Sequence, residues 1–165
     1  MALEMAWDTG KAAARKLMEQ YPGMSAVRIA RAEGLELERV DNVAGNVRYF
    51  SEYYSGRKKI ILYTVSIGMW AKHNGIGLDE ACELILAHEI FHYLECTSLG
   101  LTSMRYTVPR FQIGGFSVGR AGIRSLSEIG AHAFAREFYQ SRGMLPKTEG
   151  KALLRNHAVN DIEFS

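Results

Sequence analysis

The chain has 165 residues, with 20 basic and 18 acidic side chains, a formal net charge of +2 and 47% hydrophobic residues. This length predicts a single domain, residues 1–165, that buries enough surface to fold without disulfides or a structural metal. The balanced charge does not favour direct nucleic-acid binding, and the longest apolar run, residues 60–70, is too short to span a bilayer, so we predict a soluble cytoplasmic protein.

The first part of the chain predicts two helices and then three extended segments. A helix over residues 7–20 is stopped by Tyr21-Pro22-Gly23, and Ser25 caps a second helix that runs to Ala32. The extended segments cover residues 35–40, 46–54 and 59–65. Their short connections favour an antiparallel meander. We therefore expect an α+β fold, in which a small antiparallel or mixed three-stranded sheet packs on a helical bundle.

The most informative segment is a helix predicted over residues 78–95, which follows a short helix over 67–73 and contains the run HEIFH. On a helix, His88 and His92 lie about 40° apart around the axis and about one turn apart along it, so they can share one metal ion. Zinc in hydrolases takes two such imidazoles, a third protein ligand and a water, and Glu89 is then a candidate general base. The alternative is a pair of core histidines on an amphipathic helix.

Cys82 lies in this predicted helix, and Cys96 directly follows its predicted end on the same helical path. They would lie about 21 Å apart along its axis, too far for a disulfide, and reduced thiols fit a cytoplasmic protein. Cys96 follows His92 by one turn, and we interpret it as a small buried hydrophobe rather than a metal ligand.

After Thr97 the sequence predicts an irregular segment of about 25 residues, a length that in a compact domain is usually functional or mobile. A helix over 126–139 follows, and a last amphipathic piece over 149–157. Tyr106 and Arg124 are candidate donors to an oxyanion in this part of the chain.

Two histidines cannot bind a catalytic zinc alone, so the downstream chain must supply a third ligand. The candidates are Glu128, His132, Glu137 and His157. Glu128 and His132 share one helix face, whereas Glu137 lies on the opposite face. Glu128 is either a ligand or the end of a Ser125-x-x-Glu128 capping box, in which its carboxylate binds the Ser125 backbone. His132 is a candidate for supporting a ligand or for donating to the oxyanion.

The phrase LILAHEIFHYLE, followed after a long segment by SEIGAHAFARE, resembles the ImmA/IrrE family of metallopeptidases. That family pairs HExxH with a downstream helix of the form E-x-x-A-x-x-F-A. The resemblance covers residues 12–146, and Phe91 departs from it by replacing a glycine of the family's HELGH. The residues that match the second pattern are Glu128, Ala131, Phe134 and Ala135.

By this resemblance the protein would be a zincin-like, gluzincin-type endopeptidase that binds one Zn²⁺ through His88, His92 and Glu128, with Glu89 as the catalytic base. The substrate peptide would lie extended along an edge strand. Relatives cleave a helix-turn-helix repressor encoded on a mobile element or in a stress-response locus, which implies a separate DNA-binding protein as the partner. Two alternatives remain open: a zinc-bound binding or sensing module without proteolysis, and a metal-free interaction domain.

Overall fold

The structure, a computed structural model, describes residues 2–42, 49–102, 107–113, 116–122 and 124–141. This part of the chain has the predicted α+β architecture and is mostly helical. Its helices are α1 (Ala2–Gln20), α2 (Ala26–Ala32), α3 (Thr64–Asn74), α4 (Leu78–Leu94) and α5 (Arg124–Gln140). Its strands are β1 (Glu36–Val40), β2 (Ser51–Tyr54), β3 (Lys59–Tyr63), β4 (Thr107–Ile113) and β5 (Phe116–Gly122). No helix among the described residues combines the length and the apolar character that crossing a bilayer requires.

The start of α2 is capped from two directions. The Ser25 side chain accepts a hydrogen bond from the Arg28 backbone N–H at 3.3 Å, as the sequence predicts. The Glu83 carboxylate of α4 accepts the N–H groups of Ala26 at 2.7 Å and Val27 at 3.3 Å. A helix leaves its first N–H groups without internal partners, so these bonds both complete α2 and attach it to α4.

The three-stranded sheet has the order β1-β3-β2, in which β3 pairs parallel with β1 and antiparallel with β2. The predicted antiparallel meander is therefore wrong, because it would put β2 in the centre. Ile60 and Leu62 of β3 are 0% and 2% exposed. The central position buries this apolar pair, while the polar strand β1 stays at the edge.

Strands β4 and β5 form an antiparallel hairpin, with Phe111 opposite Val118. The prediction of one long irregular segment after Thr97 is wrong for these residues. Two alternating segments separated by Gly114-Gly115 are a hairpin signal that the sequence does carry. Tyr106 and the predicted helical piece over 149–157 lie outside the described residues.

Helices α1, α4 and α5 approach one another closely at two glycines. A Cβ atom added to Gly10 of α1 would lie 2.0 Å from the carbonyl oxygen of Gly130 of α5. A Cβ added to Gly130 would lie 2.6 Å from Cζ of Phe91 on α4. The Phe91 ring is fully buried, and its centroid is 5.8 Å from that of Phe134. The bulky ring within the HEIFH run is thus accommodated by a glycine on the facing helix.

Candidate metal centre

Side chains from α4 and α5 bring three potential metal ligands, His88, His92 and Glu128, close together. The Nε2 atoms of His88 and His92 are 3.1 Å apart. The two carboxylate oxygens of Glu128 lie 3.3 Å from His88 Nε2 and 3.6 Å from His92 Nε2. Zinc–ligand bonds of 2.0–2.1 Å in a tetrahedron put neighbouring ligand atoms about 3.3–3.4 Å apart. The three side chains, in which each histidine faces a different oxygen of Glu128, are therefore close enough together to hold a metal ion.

Glu128 is held in its charged form. Burial acts to raise the pKa of its carboxyl, but the hydrogen bond with His88 and the charges of His88, His92 and His132 outweigh burial and lower the pKa to about 2. Ser125 is the second residue of α5 rather than the residue before it, so it does not cap the helix as the alternative interpretation required. An ionised carboxylate facing two imidazoles is a suitable metal ligand.

His132 is a fourth donor beside these three. It lies one turn after Glu128 on α5, and its ring centroid is 4.9 Å from that of His88. Ligand atoms of His88, Glu128 and His132 all lie within 4.8 Å of one another, so this group can also hold a metal ion. His88 and Glu128 thus belong to two overlapping donor sets, completed by His92 or by His132.

Glu89 lies between the histidine cluster and the sheet. It is 7% exposed, and its Oε1 accepts a hydrogen bond of 2.5 Å from the Ser51 hydroxyl of β2. Its negative charge is one of the influences that raise the pKa of His92, which places it in the electrostatic range of the cluster. A carboxylate beside a metal site and held by a hydroxyl can exchange protons with a water there.

Glu95 is a site residue that the sequence prediction missed. It follows His92 by three positions, is 3% exposed, and its Oε2 lies 3.2 Å from His92 Nδ1. The same carboxylate accepts hydrogen bonds from the Thr102 backbone N–H at 2.9 Å and from the Ser127 hydroxyl. The available signal was the spacing, because residues three apart on a helix are neighbours.

The contact between Glu95 and His92 shifts the pKa values of the two side chains in opposite directions. Burial acts to raise the pKa of Glu95, but hydrogen bonds from His92, Ser127 and Thr102 outweigh it and lower that pKa. Burial acts to lower the pKa of His92, but the hydrogen bond with Glu95 and the charges of Glu89, Glu128 and Glu95 outweigh it and raise that pKa. Both shifts favour the charged forms of the two partners, a carboxylate at Glu95 and an imidazolium at His92.

The remaining predicted residues lie apart from these contacts. Arg124, the first residue of α5, is exposed, and its role as an oxyanion donor stays a prediction. Glu137 faces α1, where Arg15 Nε is 2.7 Å from its carboxylate, as its position on the opposite helix face predicts. Cys96 is exposed, so its predicted burial is wrong. Neighbouring helical residues point about 100° apart, and the inward position is taken by Glu95.

Comparison of the chain with protein-family models, with curated proteins and with solved structures finds no match. The chemistry of the site is therefore inferred from the side chains that α4, α5 and β2 bring together.

Proposed function

We propose that the protein is a zinc-dependent metallopeptidase of the gluzincin type, with a zincin-like site in which His88, His92 and Glu128 bind Zn²⁺. The observation that carries this proposal is the spacing of 3.1, 3.3 and 3.6 Å among their ligand atoms. The charged state of Glu128 and the neighbouring Glu89 add to it.

When bound, zinc supplies a Lewis acid that polarises a peptide carbonyl and acidifies a water. Glu89 takes the proton of the attacking water and passes it to the leaving amine. The hydrogen bond from Ser51 fixes the Glu89 carboxylate, so that it does not rotate away from the cluster. The Glu89 oxygen that does not face Ser51 is the one we assign to the proton transfer.

The substrate we propose is an extended segment of a regulatory protein. Among the described strands, β2 lies at the edge of its sheet and pairs only with β3. An edge strand offers unpaired backbone groups to an extended peptide, and the Ser51–Glu89 hydrogen bond links this edge to the proposed base. A helix-turn-helix repressor as the substrate is the part of the proposal that rests on the sequence resemblance alone.

The test measures zinc content and peptide cleavage in matched variants. Wild type purified without added zinc should contain about one zinc per chain, which Glu128→Ala should lose. Glu137→Ala, on the other side of α5, is the control and should keep zinc. Glu89→Gln should keep zinc but lose cleavage of an unfolded protein substrate. A wild type that binds no zinc, even when zinc is offered, would refute the proposal.

One observation favours a second candidate, a zinc-bound binding or sensing module without proteolysis. Catalytic zinc sites keep an open position, whereas structural sites are closed by four protein ligands. His132 lies where it can supply a fourth ligand together with His88 and Glu128. His132→Ala separates the two candidates. In the peptidase it leaves the zinc content unchanged, whereas in a closed site it weakens zinc binding and opens a position to water.

A further inference from the structure

We infer that Glu95 is a positioning residue for the metal centre, which orients His92 and joins the two helices that carry the ligands. This inference rests on the proposed function, because it assigns a role toward the same zinc ion. The Glu95 carboxylate contacts His92, Thr102 and Ser127. It acts through His92.

The first step of the argument is the number of donors around the Glu95 carboxylate. Thr102 N–H binds Oε1, and the Ser127 hydroxyl and His92 Nδ1 face Oε2. A carboxylate is an acceptor only and has sites for about four hydrogen bonds, so it satisfies all three groups at once. A glutamine amide would place an N–H₂ group against at least one of these donors.

The second step concerns the tautomer of His92. Because Oε2 of Glu95 accepts, the neutral His92 ring presents its Nδ1–H there and keeps the lone pair on Nε2. That Nε2 faces His88 Nε2 at 3.1 Å and the Glu128 carboxylate at 3.6 Å. Glu95 thus selects the form of His92 that can bind a metal through the atom that points into the cluster.

The third step is the connection between helices. Ser127, which hydrogen-bonds Glu95, immediately precedes Glu128 on α5. The carboxylate therefore ties the end of α4 to the turn of α5 that carries the third ligand. Its bond to Thr102 N–H also fixes the chain that leaves the π-helical turn Glu95–Leu99. One of the partners of Glu95 is the proposed ligand His92, so a change at Glu95 reaches the metal centre as well as the fold.

The experiment compares zinc affinity in Glu95→Gln, Ser127→Ala and a control, Glu33→Gln. Glu33 is a partly buried carboxylate that accepts hydrogen bonds from the hydroxyls of Tyr21 at 2.6 Å and Tyr93 at 2.8 Å. The control therefore makes the same carboxylate-to-amide change away from the site. Zinc affinity is measured by competition with a chelating dye, and the visible absorption of the Co²⁺-substituted protein reports the ligand geometry.

We expect Glu95→Gln to weaken zinc binding by about 10–100-fold, and Ser127→Ala to weaken it less. Both should alter the Co²⁺ spectrum, whereas Glu33→Gln should leave affinity and spectrum as in wild type. A folded Glu95→Gln protein with wild-type affinity and spectrum would overturn the inference while leaving the zinc site in place. If Glu95→Gln does not fold, Ser127→Ala decides in the same way. Failure of the proposed function has a different signature, a wild type without zinc affinity.

Discussion

Three glycines inside helices provide a test of whether backbone contact sets the distance between the helices that carry the site. Gly68 lies in α3, where an added Cβ would have Leu78 Cδ1 as its nearest neighbour at 3.8 Å. That is an ordinary contact. In a helix interior, alanine is about 1 kcal/mol more favourable than glycine, so Gly68→Ala should raise the free energy of unfolding by up to about 1 kcal/mol.

At Gly130 the same gain in helix propensity is opposed by overlap with a buried ring. The added Cβ would lie 2.6 Å from Phe91 Cζ. Overpacking a core typically lowers the free energy of unfolding by about 1–3 kcal/mol, and the better helix propensity of alanine raises it by about 1 kcal/mol. Gly130→Ala should therefore lower the free energy of unfolding by up to about 2 kcal/mol. At Gly10 the overlap, 2.0 Å, is with the Gly130 carbonyl oxygen. Because this atom belongs to the backbone, the overlap is relieved only if α1 and α5 move apart. We therefore expect Gly10→Ala to lower the free energy of unfolding by more than about 3 kcal/mol.

Equilibrium denaturation in the presence of a chelator measures these differences, provided that the m-values agree. From the most to the least stable protein, the expected order is Gly68→Ala, wild type, Gly130→Ala and Gly10→Ala. Adding Phe91→Leu to Gly130→Ala removes the ring that the new methyl meets, and should cost less than the sum of the two single changes. A Gly10→Ala protein as stable as Gly68→Ala would refute the close approach of α1 and α5.

Three further predictions concern zinc and pH. Zinc at 100 times its dissociation constant should raise the free energy of unfolding by about 2.7 kcal/mol, and thermal or chemical denaturation should show no such gain for Glu128→Ala. Zinc affinity in the dye competition assay should fall as pH is lowered, because protons compete with zinc for His92. The fall should begin at a higher pH than for a site of unperturbed histidines, because the pKa of His92 is raised in the metal-free protein. Burial, followed by the hydrogen bond to Glu33, raises the pKa of Tyr93 from 10.0 to about 12. Because the pKa of Tyr93 is higher in the folded than in the unfolded protein, the neutral phenol stabilises the fold below pH 10, and this stabilisation should be lost as pH rises from 10 to about 12. In Glu33→Gln the absorbance of the Tyr93 tyrosinate should appear at lower pH than in wild type.

The elements that the sequence predicts well are those decided by local signals. Ser25 marks the start of α2, and the uninterrupted run from Leu78 yields α4 within one residue of its predicted end. Strand order is decided by burial across the whole sheet. Nothing local to β1 or β2 states that β3 will lie between them, although Ile60 and Leu62 are the pair that gains most from the centre.

His88 and His92 could be paired from the sequence because they share one helix face. Helix geometry left Glu128 either a ligand or part of a capping box, and the family resemblance decided between them. The role of Glu95 was not predictable, because two of its three partners come from elsewhere in the chain. Thr102 follows the π-helical turn and Ser127 lies on α5. The spacing predicts that a glutamate three residues after a histidine is its neighbour, but the spacing alone does not distinguish a buried hydrogen-bond partner from a residue of a solvated helix face.

The contact between Phe91 on α4 and Gly130 on α5 links helix packing to the candidate metal centre. The buried Phe91 ring fills the space that a side chain at position 130 would occupy, since a Cβ added to Gly130 would lie 2.6 Å from Phe91 Cζ. Glu128 precedes Gly130 by two residues, so the contact between Phe91 and Gly130 also sets how far Glu128 lies from His88. Metal sites tolerate deviations of only about 0.2 Å in bond length. A methyl group that pushes α5 away from α4 therefore has to weaken zinc binding as well as folding, and the two effects should appear together in Gly130→Ala.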